Sequence, residues 1–217
     1  ANSPFFLQIG FPGPHPPYDP TDEFLAIYKD TEFPHRAASQ QELAQQPKMH
    51  QQLRQSMVDF NIDSVAWREN LTDEDIQRLQ RYYAANVSMI DQKVGQIMDC
   101  LDKQGHLDNT IVIFCSDHAD ALGEHGHIQK WTMYDCVTRV PLVFWAPNRV
   151  KQQQQCDDLV QLMDIAPTIL QFAGIDPPSN WEALAMNKML TSGCWDEQDP
   201  NGKLRDYVYA ELGRDHI

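Results

Sequence analysis

The segment Thr110-Ile111-Val112-Ile113-Phe114-Cys115, followed at once by Ser116-Asp117-His118-Ala119-Asp120-Ala121-Leu122-Gly123-Glu124-His125-Gly126, decides how the rest of the chain is read. Its first six residues are apolar or β-branched almost without interruption, over a length that suits a strand buried on both faces. The polar stretch after it opens with a carboxylate and an imidazole side by side. In open α/β sheets ligands gather beyond the carboxyl ends of the strands, where such a pair can turn onto one cation. Taken alone, an adjacent Asp-His pair is more often a solvated loop with a hydrogen-bonded histidine.

Upstream, Thr72 with Asp75 three residues later forms a capping-box-like start. Ile76, Leu79, Tyr83, Val87, Ile90, Val94, Ile97 and Leu101 then recur at three- and four-residue steps up to Gly105, which predicts a long amphipathic helix with a glycine stop. Downstream, Pro141-Leu142-Val143-Phe144-Trp145 reads as another strand, Asp164 to Phe172 as a helix stopped by Gly174, and Tyr207-Val208-Tyr209-Ala210 as a last strand. The opening run Pro4-Phe5-Phe6-Leu7-Gln8-Ile9-Gly10 is expected to be a buried strand, ended by the Gly/Pro-rich stretch from Gly10 to Pro20. The Gln-rich region up to Leu71 reads as an irregular excursion with short helices. Strands alternating with helices predict an α/β fold with a mainly parallel sheet flanked by helices. A core strand at the start and another close to Ile217 are expected to need a sheet built by further chain, so the fold is read as incomplete at its N-terminal side.

With 217 residues, 42% of them hydrophobic, the chain can bury a real core. A net charge of -14 and an isoelectric point near 4.8 repel phosphate backbones and anionic surfaces, which argues against nucleic acid and membrane as partners. No stretch approaches the roughly 18 consecutive apolar residues of a membrane helix, and Ala1-Asn2-Ser3-Pro4 does not begin a signal peptide. Cys100, Cys115, Cys136, Cys156 and Cys194 are odd in number and never spaced C-x-x-C, which favours reduced structural thiols and leans toward a cytoplasmic compartment. The triplets Asn70-Leu71-Thr72 and Asn86-Val87-Ser88 are read as coincidental glycosylation matches, the second inside a predicted helix. Oligomeric state is left open.

The whole motif set resembles the sulfatase and phosphonate monoester hydrolase branch of the alkaline phosphatase superfamily. The resemblance rests on Asp108 to Phe114, Ser116-Asp117-His118, Leu122-Gly123-Glu124-His125-Gly126, Lys130, Tyr134 and Arg139-Val140-Pro141-Leu142. His15-Pro16-Pro17-Tyr18 is similar to the family's histidine loop, and Leu162 to Leu170 with Ala173-Gly174 to the helix that follows. It implies that residues 1–217 form the C-terminal part of one alkaline phosphatase-like catalytic domain, with no second domain evident. It further implies a hydrolase of sulfate monoesters acting on a small-molecule ester, with Asp117 and His118 as metal ligands, His15 on the ester or its leaving oxygen, and Lys130 on the transferring oxyanion. The divalent metal is manganese or calcium, with zinc or iron as further candidates. Metal, lysine and imidazole together put positive charge and donors where the transition state spreads negative charge. Without the resemblance His15 would pass for a turn residue and Lys130 for a surface charge. His125 is read as support within its turn, His127 is left undecided, and Arg139 and Tyr134 are expected to shape the loop.

The departures matter as much. The family's nucleophile, a formylglycine made from cysteine or serine in C-x-P-S-R or C-x-A-x-R, has no counterpart here, since Cys136 leads only Val137-Thr138-Arg139. The early aspartates that complete the family's metal site are also missing, and both are expected upstream of Ala1. Ala119 stands where many relatives have glycine. An imidazole rather than an amide after Asp117 tilts toward phosphonate monoesters, because it suits manganese, iron or zinc better than calcium. A two-zinc phosphodiesterase of the same superfamily is a rival, disfavoured by the spacing of Lys130. A non-catalytic sulfatase-like binding module is a rival from another class.

Overall fold

The computed structural model describes residues 3–34, 37–60, 65, 69–152, 154–193 and 202–211; Ala1, Asn2, Cys194 and Ile217, named above, lie outside the described residues. The chain divides into two compact units that it visits alternately. Of the described residues, the first takes those within 1–100 and 118–139, and the second those within 101–117 and 140–213.

The first unit is helical. Its elements are α1 (Asp22–Ile27), α2 (Gln40–Gln45), α3 (Lys48–Phe60) and most of α4 (Asp73–Lys103). The Gln-rich excursion thus becomes short helices, α2 beginning where Ser39 Oγ accepts from the Glu42 N–H at 3.1 Å. Helix α4 starts on the reciprocal cap its sequence predicts. The Asp75 N–H donates to Thr72 Oγ1 at 3.2 Å, and Asp75 Oδ2 accepts from the Thr72 N–H at 2.9 Å. Asp73, Glu74 and Asp75 put negative charge at the positive end of the helix dipole. At the far end Gly105 adopts φ 67°, and the His106 N–H reaches back to Leu101 O at 2.9 Å, closing the helix as a glycine stop should. Ile76 and Leu79 have no exposure, whereas Val87 on the predicted stripe is exposed, so deep burial is confined to the first half of α4. Leu79 packs with Tyr18 and Ile128, and Leu71, Tyr82, Tyr83 and Leu122 close around them.

The second unit holds β1 (Val112–Cys115), β2 (Leu142–Trp145), α6 (Ile165–Phe172) and α7 (Asn187–Ser192); α5 (Asp135–Thr138) belongs to the first. Both strands form where their apolar runs predict them, but they pair with each other antiparallel, Val112 opposite Trp145 and Cys115 opposite Leu142. The parallel order expected from alternating strands and helices is not seen in this pair. The chain leaves β1 at Cys115 and returns at Leu142 directly opposite, a hairpin-like return rather than the crossover that parallel strands need. The strands are not buried on both faces either, since Phe114 and Val143 are exposed.

Two expected strands do not form. Residues 4–10 and 207–210 lie outside any sheet, and Phe5, Phe6, Leu7 and Ile9 are 47 to 73% exposed. An apolar run marks a segment suited to two-sided burial, but a strand exists only where a partner supplies its hydrogen bonds. Here the two described strands are paired with one another. Helix α6 forms as expected and ends at Gly174, φ 75°.

Candidate functional site

The loop from His118 to Arg139 is shaped by two glycines in the left-handed region. At Gly123, φ 94°, a Cβ would stand 2.5 Å from Ile76 Cγ1 on α4; at Gly126, φ 72°, it would stand 2.5 Å from Leu43 Cδ2 on α2. Only a residue without a side chain lets the loop press this closely onto both helices. The Ala119 N–H donates to Val137 O and the Ala121 N–H to Gln129 O, each at 2.9 Å, so the loop folds back on itself.

That fold brings Lys130 to His15, 115 residues away in sequence, with Lys130 Nζ 3.2 Å from His15 Nε2. The other ring nitrogen of His15 donates to the Pro16 carbonyl at 2.8 Å. A neutral ring with its proton on Nδ1 presents a lone pair at Nε2, so the Lys130 ammonium is the donor of the pair. The His118 ring lies edge-on to His15, centroids 6.1 Å apart. His118 Nδ1 donates to Ala119 O at 2.9 Å, which places the lone pair of the neutral ring on Nε2. A backbone carbonyl on the far nitrogen is the usual way a metal-binding histidine is oriented. His15, His118 and Lys130 therefore share one neighbourhood of the first unit. Asp117 is exposed and closes a segment of the second unit, joined to His118 by one peptide bond. Among the described residues no group of three or more His, Cys, Asp or Glu side chains is arranged to hold a metal ion.

Beside this trio the loop carries a second group of rings. His127 is buried, and burial, reinforced by His50, Arg54 and His125, pushes its imidazole down to about 4. Its Nε2 has no hydrogen-bond partner among the described residues. The His50 ring lies edge-on to it at 5.2 Å, and His125 stacks on Tyr134 at 4.1 Å while bonding Glu42 Oε1 at 2.9 Å. Gln46 ties α2 in by donating to His125 O at 2.7 Å and accepting from Arg54. Arg139 is exposed just beyond α5. Burial, followed by Glu124, pushes the Cys136 thiol up to about 11, the reverse of what an activated nucleophile needs.

Asp120, which the sequence offers only as one more acidic residue, is fully engaged. Its Oδ2 accepts from Tyr18 OH at 2.6 Å, and its Oδ1 from the N–H groups of Leu122 at 2.9 Å and Gln129 at 2.8 Å. Burial, followed by Asp120, pushes the Tyr83 hydroxyl up to about 12 and drives that of Tyr18 higher still, so both hydroxyls keep their protons. No sequence signal pairs Tyr18 with Asp120, because each owes its role to the other.

Residues 1–175 match the sulfatase family model. The chain is 28% identical to an arylsulfatase of Clostridium perfringens, covering 97% of this chain and 41% of that protein. It is 33% identical to a choline-sulfatase of Rhizobium meliloti, covering 81% and 32%. In fold it matches a phosphonate monoester hydrolase of Agrobacterium radiobacter, TM-score 0.75 at 24% identity, over 88% of this chain and 39% of that one. The corresponding enzyme of Silicibacter pomeroyi gives a TM-score of 0.69 at 25% identity, covering 82% and 36%. The chain thus spans well under half the length of these relatives.

Proposed function

This chain belongs to the sulfatase family, and we propose that it supplies the histidine and lysine of a site that hydrolyses sulfate monoesters. The observation that carries the proposal is the contact between Lys130 and His15, which joins two family motifs that sequence keeps far apart. One of the three N–H donors of the Lys130 ammonium is spent on His15; the two that remain are the ones that meet the charged oxygens of the transferring group. His15 keeps its Nδ1 on the Pro16 carbonyl and turns its Nε2 edge toward the same space; with a proton on Nε2 it lets go of Lys130 and donates to the ester or its leaving oxygen. Asp117 and His118 hold a divalent metal, manganese or calcium with zinc or iron as further candidates, which when bound supplies Lewis-acid stabilisation of the ester's oxygens. The His118 tautomer fits that duty. Two donor groups do not complete a coordination shell, so the remaining ligands and the formylglycine nucleophile come from sequence outside these residues. In the same reading residues 1–217 form the C-terminal part of one catalytic domain, and the mainly parallel sheet belongs to that whole domain.

A second reading, hydrolysis of phosphonate monoesters, is favoured by the imidazole that follows Asp117 and by the fold match to two phosphonate monoester hydrolases. Steady-state kinetics of the protein that carries this chain, on 4-nitrophenyl sulfate and on 4-nitrophenyl phenylphosphonate, separates the two. A higher kcat/KM on the sulfate supports the first reading and on the phosphonate the second. Turnover of neither, with manganese or calcium supplied, overturns both.

A further inference from the structure

We propose that Asp120 is a positioning residue, which through Tyr18 holds the His15 and Lys130 loops in register with His118. The role rests on the sulfatase reading given above, but its geometry does not. A single carboxylate takes three donors from three places: the hydroxyl of Tyr18, three residues beyond His15; the N–H of Leu122 in its own loop; and the N–H of Gln129, immediately before Lys130. His118 precedes Asp120 by two residues, so each residue of the trio lies within three positions of one of these bonds.

The tether has a firm anchor. Tyr18 is 3% exposed, packs with Leu79 and Ile128, and sets its ring edge-on to Tyr83 at 6.2 Å. Its hydroxyl therefore arrives from the core of the first unit, and the loop is fixed to the core rather than the reverse. A carboxylate suits the position because all three partners are donors and it has only acceptors to offer. Misplacing a reacting group by about 1 Å can cost a hundredfold in rate, so a tether of this kind bears on His15 without touching the substrate.

Tyr18→Phe cuts the tether while keeping the ring that fills the core. Asp120→Asn is the conservative control, since its amide oxygen still accepts from Leu122 and Gln129 and its NH2 can donate to the Tyr18 hydroxyl. In the protein that carries this chain, labelled at histidine Cε1 and assigned with His15→Gln, the His15 resonance is expected to move in Tyr18→Phe and to stay near wild type in Asp120→Asn, with both variants folded by circular dichroism although Tyr18→Phe loses some thermal stability with its buried hydrogen bond. On aryl sulfates, Tyr18→Phe is expected to lose roughly tenfold in kcat with 4-methylphenol as leaving group and much less with 4-nitrophenol, because a poor leaving group needs its donor most. A His15 resonance that stays in place in Tyr18→Phe overturns the proposal, as does an equal fall for both leaving groups. A resonance that moves in a protein hydrolysing neither sulfate nor phosphonate esters leaves the tether standing and removes only the reaction assigned to it.

Discussion

Arg205 donates to Asp164 Oδ1 at 2.6 Å, and the carboxylate it meets has no solvent exposure. The same carboxylate accepts from the Leu184 N–H and the Gln161 N–H, both at 2.8 Å, so one side chain ties the start of α6 to two later segments of the second unit. Removing the guanidinium leaves a buried charge uncompensated. Arg205→Ala is expected to cost about 3–5 kcal/mol of stability. Urea denaturation followed by circular dichroism checks it, and a loss as small as that of an exposed ion pair would mean that the backbone donors alone satisfy Asp164.

Lys130→Ala is expected to lower kcat by the equivalent of about 2–4 kcal/mol with a smaller change in KM, since a cation aimed at the oxyanion helps most once charge has developed. The comparison belongs on an aryl sulfate and an aryl phosphonate with metal supplied. Unchanged kcat on both would return Lys130 to the status of a surface charge that happens to meet His15.

His127 makes stability depend on pH in a definite direction. Its imidazole takes a proton near 4 when folded, against an ordinary value of 6.5, so the unfolded chain binds the proton more readily. The contribution is fully present above pH 6.5 and is lost as pH falls toward 4, by about 3 kcal/mol in all. Because many carboxylates titrate in the same range, the measurement is the difference between wild type and His127→Gln across pH 4 to 7.5. Two curves that run parallel through that interval would show that His127 is reachable by water.

Gly123→Ala is expected to destabilise by about 1–3 kcal/mol, because the new methyl group meets Ile76 Cγ1 at 2.5 Å on a backbone that L residues rarely adopt. Ile76→Val in the same chain gives back space at that contact and is expected to recover part of the loss in thermal midpoint. No recovery would place the whole penalty on the backbone.

What could be read beforehand was whatever is decided locally. Thr72 and Asp75 cap α4 across three residues, and Gly105 ends it through its own φ, so both ends of the longest helix stood in plain text. Strands β1 and β2 announced themselves as apolar runs, but their antiparallel register depends on where the chain returns after a long excursion. Pro4 to Gly10 and Tyr207 to Ala210 show the limit from the other side, since an apolar pattern names a surface suited to burial without naming its cover. His15 and Lys130 became candidates only through family motifs; nothing in the spacing of either says that they touch. Nothing in the sequence marks Asp120 out from its acidic neighbours, because its partner Tyr18 lies 102 residues away.

The exposure of Phe5, Phe6, Leu7 and Ile9 bears on how the chain behaves in a tube. A short, uncharged, aromatic segment open to water is sticky, and a net charge of -14 makes neighbouring copies repel one another. Added salt shortens the reach of that repulsion to a few ångströms while strengthening the attraction between apolar surfaces. Handled alone, the chain belongs in dilute buffer at neutral or alkaline pH, and it will come out of solution first where both safeguards weaken together, in ammonium sulfate near its isoelectric point.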